Sequence, residues 1–273
     1  MSRQNPRVKE LCALNEKKHR KATGRFRLDG KKLFLEAVAS NAEIVEVWLS
    51  EGASDAVREA VLREVHEGRL NEKMLIFASE SVFEKLSAEV SPEGVITVVR
   101  ALDRLHRTLS DGERIDKDGF GAEKLLIAES LRDAGNLGTV LRSCAALGID
   151  RLILSDDCAE LYNPKTLRAA MGAIFRIPTL TVKREALPQV IAELRASGRH
   201  VYAAALREGA LPIGEFAPGA RDCFVIGNEG HGLSSTLIEA CDAAAIIPMR
   251  EGNESLNAAA AATVCIWETV RAK

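Results

Sequence analysis

Ser255 and Asn257 stand between an apolar run, Ala245-Ile246-Ile247-Pro248-Met249, and five consecutive alanines, Ala258 to Ala262. A strand-like run that stops at a proline, then a polar loop, then an alanine-rich helix, puts two hydrogen-bonding side chains at a strand-to-helix junction. Such a junction suits a small-molecule site. It also suits a plain helix cap, for which Ser and Asn are equally good.

Two further stretches carry polar groups in similar settings. Asp133-Ala134-Gly135-Asn136-Leu137-Gly138-Thr139-Val140-Leu141-Arg142 follows the apolar run Leu125 to Ala128. On a helix, Val140, Leu141, Cys144, Ala145 and Leu147 share one arc, with Gly148 as the stop. Arg142 falls outside that arc. A guanidinium freed from core duty can grip a phosphate bidentately or simply face solvent. Phe224-Val225-Ile226-Gly227-Asn228-Glu229-Gly230-His231-Gly232-Leu233 reads as a buried strand running into a glycine-rich turn. Glu229 is the turn's sole carboxylate, and His231 reads as a loop residue.

Taken in order, Asn136, Gly138 and Arg142, then Gly227, Glu229 and Gly232, then Pro248, Ser255, Leu256 and Asn257 resemble the three signature motifs of the SpoU branch of the SPOUT RNA methyltransferases. Asn163-Pro164-Lys165 through Arg168-Ala169-Ala170-Met171-Gly172-Ala173 is similar to the family's segment between the first two motifs. Ala134 departs from the pattern, since the family usually has proline there.

The resemblance implies S-adenosylmethionine as cofactor and an RNA ribose 2′-hydroxyl as methyl acceptor. It further implies a C-terminal SPOUT domain with a mainly parallel sheet and a deep trefoil knot, an arrangement very rare among folds. Asn136, Arg142, Glu229, Ser255 and Asn257 are the implied catalytic residues. Ala204, Gly227, Ile247, Met249 and Leu256 are the implied cofactor contacts, and no metal is required. Ribosomal RNA is the expected substrate, with transfer RNA as the alternative, and a homodimer formed through the C-terminal domain is expected. A non-catalytic RNA-binding protein and a small-molecule α/β enzyme are the competing classes. Intact motif residues oppose the first. The absence of a Gly-x-Gly-x-x-Gly fingerprint after the first catalytic-domain strand opposes the second.

The bulk properties agree with a globular chain of 273 residues, 47% hydrophobic and 28% charged, with a formal charge of −2. No apolar stretch is long enough to span a bilayer, and no signal peptide is expected. Cys12, Cys144, Cys158, Cys223, Cys241 and Cys265 are dispersed, which supports neither a zinc site nor a redox pair and fits a reducing cytoplasm. Charge is uneven. Residues 1–32 hold eleven basic and three acidic side chains, a local +8, so the remainder carries −10. A basic edge on an acidic chain is a candidate polyanion contact or a solvated helix end.

The pattern predicts a helix through Val8, Leu11 and Leu14, a strand at Phe26–Leu28, a helix over Leu33–Ala42 and a strand over Ile44–Leu49. It continues with a helix over Ala56–Val65 and strands at Met74–Phe77 and Val95–Val99. This α/β unit, residues 1–100, resembles the ribosomal-protein-like substrate-binding domain often found before SpoU catalytic domains. The segments Asn5-Pro6-Arg7-Val8-Lys9 and Ser91-Pro92-Glu93-Gly94-Val95 carry that likeness. Residues 101–122 read as a linker. Residues 123–273 alternate strands (125–128, 151–154, 201–205, 223–226, 245–247) with helices, the signature of a parallel sheet covered on both faces.

Overall fold

The computed structural model describes residues 2–87, 92–250 and 255–271. Ser91 and the motif residues Asn253 and Glu254 lie outside them. In chain order the first elements are α1 (Pro6–Ala13), α2 (Lys17–Thr23), β1 (Arg25–Asp29), α3 (Lys31–Ala39), β2 (Ile44–Ser50) and α4 (Asp55–His66). Next come β3 (Leu75–Ala78), α5 (Glu80–Leu86), β4 (Val95–Arg100), β5 (His106–Thr108), β6 (Leu125–Ala128), α6 (Ala134–Leu147) and β7 (Arg151–Ser155). They are followed by α7 (Pro164–Ala170), β8 (Thr179–Val182), α8 (Leu187–Ala196), β9 (Val201–Ala204) and β10 (Leu211–Pro212). The last are β11 (Cys223–Ile226), α9 (Ser235–Ala240), β12 (Ala243–Ile246) and α10 (Ala258–Arg271).

The chain packs as two units: residues 1–102 with 160–176, and residues 103–159 with 177–273. In the first, four strands form a sheet in the order β1-β4-β2-β3. Val8, Leu11 and Leu14 are buried as their spacing requires, and join Trp48, Phe83, Leu86 and Ile96 in one core cluster. Segment 160–176 belongs to this unit by packing. Tyr162 stacks on Phe26 with ring centroids 4.4 Å apart, and Asn163 caps α7 by accepting from the Lys165 amide.

Two members of the basic cluster serve the fold and not the surface. Arg20 is 4% exposed, donates to the Leu14 and Asn15 carbonyls at 2.8 Å, and forms an ion pair with Glu160. Arg27 is 1% exposed, forms an ion pair with Asp29 and donates to the Leu86 carbonyl. Lys17, Lys18 and Lys21 remain exposed. The sequence treated these five cations alike because composition cannot tell which face of a short helix meets a neighbour. Helix α2 itself, rich in Lys and Arg, lacks an apolar stripe. It ends at Gly24, in the left-handed conformation at φ 60°.

In the second unit the described strands form one sheet in the order β10-β12-β9-β11-β6-β7-β8-β5, and every neighbouring pair is parallel. The sequence reading had no strand within 101–122, yet β5 lies there, paired with β8. The three-residue strand is too short to show alternation. Strands β8 and β10 were also unread. Buried apolar residues from β6, β7, β8, β9, β11 and α8 form one core cluster. Strand β11 sits between β6 and β9, with Phe224, Val225 and Ile226 opposite Leu126, Ile127 and Ala128. The knot implied by the resemblance turns on the path from β12 through 251–254, and those residues lie outside the described ones.

Arg20→Ala should lower stability by about 3 kcal/mol, since it strands Glu160 without its partner in a largely buried setting. Lys17→Ala should change stability by less than about 0.5 kcal/mol. Urea denaturation of the two variants checks this.

Candidate active site

Parallel strands in adjacent positions open their carboxyl-terminal loops at the same sheet end, where ligands bind in open α/β sheets. Here β6, β11, β9 and β12 are such neighbours, and their loops carry all three motifs. After β6, the Glu129 amide donates to the Ile226 carbonyl at 2.9 Å, tying the ends of β6 and β11 together. The buried Glu129 carboxylate accepts from the Ser234 amide and hydroxyl, both at 2.7 Å, and pairs with Arg184 at 3.0 Å. It thereby anchors the far end of the glycine turn.

Ser130 follows with φ 55°, a left-handed conformation that costs a non-glycine residue about 1–3 kcal/mol. Three contacts hold it there. Its amide donates to Ser155 Oγ at 2.7 Å, its hydroxyl donates to Asp157 at 2.6 Å, and its carbonyl accepts from Asn228 Nδ2 at 2.8 Å. Burial opposes charge on Asp157. Hydrogen bonds from Ser130, Ser155 and Arg132 outweigh it and hold the carboxyl below its ordinary value.

Asp133 caps α6 by accepting from the Asn136 amide at 2.9 Å. The helix therefore begins at Ala134. Asp133 supplies the cap, so the Asn136 side chain is free for other contacts. It donates to Glu229 Oε1 at 3.0 Å and accepts from Asn257 Nδ2 at 3.0 Å. Asn257 Oδ1 in turn accepts from the Ala259 amide at 2.9 Å. Asn257 thus caps α10 with its side-chain oxygen and reaches the first motif with its side-chain nitrogen.

Glu229 also accepts from the Asp133 amide at 3.3 Å and from Asn228 Nδ2 at 3.3 Å. Partial burial pushes its carboxyl up, but the bonds from Asn136 and from backbone amides push harder and hold it below the usual carboxylate range. Glu229, Asn136 and Asn257 so form one hydrogen-bonded chain across the three motifs.

The glycine turn folds back on itself: Asn228 and Gly232 exchange amide-to-carbonyl bonds, both 3.0 Å. Asn228 Oδ1 accepts from the Gly230 amide. A Cβ on Gly227 would lie 2.3 Å from the Gly232 carbonyl carbon, so only glycine fits. Beside this turn lies a cavity of about 470 Å³. Ala204, Gly227, Ile247, Met249 and Leu256 all line it, as do Ser255, Glu229 and His231.

Arg142 stands apart. It is exposed on α6, outside the buried residues Leu137, Gly138, Val140, Leu141 and Cys144, and makes no hydrogen bond or ion pair among the described residues. The neighbouring Ser143 instead meets Thr263 of α10 at 2.8 Å. Sequence reasoning missed Asn228, Ser130, Asp157 and Glu129. Asn228, an Asn between glycines in a turn, carried a readable signal. The other three act through contacts distant in sequence.

Residues 123–267 match the sequence pattern of the SpoU rRNA Methylase family, more than half of the chain. The chain belongs to the SpoU family. Residues 5–97 match the MRM3-like substrate binding domain. The chain is 32% identical to the 23S rRNA (guanosine(2553)-2′-O)-methyltransferase RlmP of Bacillus subtilis over 97% of its own length and 96% of the relative's. An AdoMet-bound rRNA methyltransferase from Sinorhizobium meliloti superposes with a TM-score of 0.79 at 27% identity, covering 99% and 96% of the two chains. AviRb of Streptomyces viridochromogenes, a SpoU methyltransferase in complex with AdoMet, gives 0.77 at 26% identity, covering 98% of each.

As a SpoU-family protein the chain is an S-adenosylmethionine-dependent RNA 2′-O-ribose methyltransferase with a mostly parallel SPOUT α/β domain behind a small substrate-binding domain. The cavity fits the cofactor. Its volume lies within the roughly 300–1,000 Å³ typical of small-molecule sites. Its wall combines apolar side chains with the exposed backbone of a turn that excludes any side chain at Gly227.

Gly227→Ala should abolish S-adenosylmethionine binding, because the added methyl would collide with the Gly232–Leu233 peptide backbone. Gly230→Ala, whose Cβ would meet only Asn228 Oδ1 at 3.5 Å, should leave binding within about twofold of wild type, the range of a neutral surface change. Isothermal titration of both variants decides it. The Glu229 tie is complete above the ordinary carboxylate pKa and is lost as pH falls through its depressed folded value. Cofactor affinity should therefore show no Glu229 titration between about pH 5 and 8, and an inflection in that window that vanishes in Glu229→Gln would refute the tie.

Proposed function

We propose that this SpoU-family enzyme methylates ribosomal RNA, gripping it through the N-terminal unit and reacting in the C-terminal unit. The carrying observation is the Glu229–Asn136–Asn257 chain, whose Glu229 lines the cavity, together with the rRNA named as substrate of RlmP. Ala204, Gly227, Ile247, Met249 and Leu256 would hold the cofactor. When bound, it supplies the electrophilic methyl that a ribose 2′-oxygen accepts in an in-line displacement.

The chain's own residues then position and stabilise. Asn136 is locked by Glu229 on one side and Asn257 on the other, so the first and third motifs keep a set separation. Ser255 offers a hydroxyl on the cavity wall, placed to orient the ribose. Arg142, exposed and unpaired among the described residues, is available to a substrate phosphate. A guanidinium is never neutral in a protein, so Arg142 stabilises charge and positions the ribose-phosphate, and the 2′-hydroxyl proton leaves to phosphate or water. Prepaid orientation of the reactants supplies much of the rate.

A homodimer is part of this proposal. Trp267, 55% exposed on α10, and Leu256, 42% exposed, present apolar surface on the C-terminal unit. A cytoplasmic setting fits six unpaired thiols; burial pushes those of Cys144, Cys223, Cys241 and Cys265 up to about 12, which makes them inert.

Arg142→Ala should abolish methyl transfer while cofactor affinity stays near wild type. Asn257→Ala should weaken both, its binding term by about tenfold for the loss of a hydrogen-bond bridge. Single-turnover transfer set against equilibrium cofactor binding separates the two. With ribosomal and transfer RNA offered side by side, the ribose methylation should map to ribosomal RNA; exclusive labelling of transfer RNA would overturn the substrate assignment.

A further inference from the structure

The N-terminal unit holds a cavity of its own, of about 320 Å³, between α1, α2 and the sheet. Its floor is apolar, made by Leu11, Leu14 and Val98, which are 2%, 4% and 3% exposed. Its rim is charged: Arg7, Glu10, His19, Arg25 and Glu46. The fold accounts for some of these groups. Glu46 accepts from Arg7 at 2.8 Å with one oxygen and from the Trp48 indole at 2.8 Å with the other.

It does not account for Arg25 and His19. Both are partly buried, and neither side chain makes a hydrogen bond or ion pair among the described residues. Two cationic or donor groups at the mouth of an apolar pocket, without a partner among the described residues, call for an anionic ligand with an apolar part. Just outside, Lys17, Lys18 and Lys21 are exposed and likewise unpaired among the described residues. The surrounding field is therefore positive, and it extends beyond the pocket. A free small anion has no use for that extension, whereas a polyanion does.

We infer that this pocket receives one unpaired nucleotide of the substrate RNA, its base over Leu11, Leu14 and Val98 and its phosphate at Arg25 and His19. The inference rests on the RNA substrate proposed above. The volume admits one nucleotide and excludes a duplex edge, whose bases are stacked away from such a pocket. Reading of unpaired, splayed-out bases is the usual route to sequence-specific RNA recognition. Glu10, without a partner among the described residues, gives the base edge an acceptor for ring or amino N–H groups. The pocket thus deepens the role of the N-terminal unit from a charged surface to a nucleotide reader.

The test uses the full-length protein, a short fluorescein-labelled single-stranded RNA, and the same strand annealed to its complement. Arg25→Gln and His19→Ala should each weaken single-strand binding by about tenfold, the scale of one lost base-and-phosphate anchor, with duplex binding changed less than about twofold. His19 lies on a short, partly exposed helix, so that variant keeps the test valid should Arg25→Gln melt early. Cofactor affinity should match wild type in both. Unchanged single-strand affinity, or an equal loss for both RNA forms, overturns the pocket and leaves only a solvated charge. If the variants behave as expected but the wild type methylates no ribosomal RNA, the pocket stands and the assigned substrate falls. If the wild type methylates ribosomal RNA while the variants bind as it does, the reverse holds.

Discussion

The site depends on one constraint: β11 lies between β6 and β9, with β12 beyond β9, all parallel and in register. Parallel hydrogen bonding forces the carboxyl ends of the four strands to one end of the sheet. The three motifs are spread over residues 133–257 of the chain, yet they meet because each follows one of these strands. Slipping β11 by one residue would turn Phe224 and Ile226 to the opposite face and carry Gly227 away from the β6 loop. The bond from the Glu129 amide to the Ile226 carbonyl closes the last gap between the two strand ends.

On that frame a polar network over-determines the loops. Ser130 is strained and stays so because Ser155, Asp157 and Asn228 all bind it. Asn228 also organises the glycine turn, so the first- and second-motif loops share a residue. Glu229, Asn136 and Asn257 add the third. Singly the neutral bonds contribute about 0.5–1.5 kcal/mol net and those to the Asp157 and Glu229 carboxylates about 1.5–3 kcal/mol. Their joint effect is that the first- and second-motif loops cannot shift without breaking several bonds, which is the preorganisation a displacement reaction needs.

The N-terminal unit shows another division of labour among like charges. Arg20 and Arg27 are buried and hold carbonyls and carboxylates of their own unit, while Lys17, Lys18 and Lys21 face solvent. Arginine suits the buried role because its planar fork satisfies several acceptors at once, and lysine suits the solvated one. Segment 160–176 shows that packing need not follow sequence. It falls inside the stretch matched to the methylase family but packs with residues 1–102, through the Tyr162–Phe26 stack and the Arg20–Glu160 pair.

Local chemistry was legible in the chain itself. Apolar periodicity marked α1, β2, α4, β6 and β11, since burial of one face or of a whole strand is written in residue order. Gly148 as a helix stop and Asn257 as a cap were readable because they act within a turn of their own position. The family resemblance pointed to Ala204, Gly227, Ile247, Met249 and Leu256, which line the cavity. What the tertiary structure alone decided is which distant groups meet: that Asn136 binds Glu229 and Asn257, that Asp133 rather than Asn136 caps α6, that Ser130 is held left-handed by residues 25 and 27 positions away, and that Arg20 is core while Lys21 is surface. The physical reason is common to all four. A hydrogen bond or ion pair depends on distance and angle to within a few tenths of an ångström, and those are set by strand order and helix packing, which no local window of sequence contains.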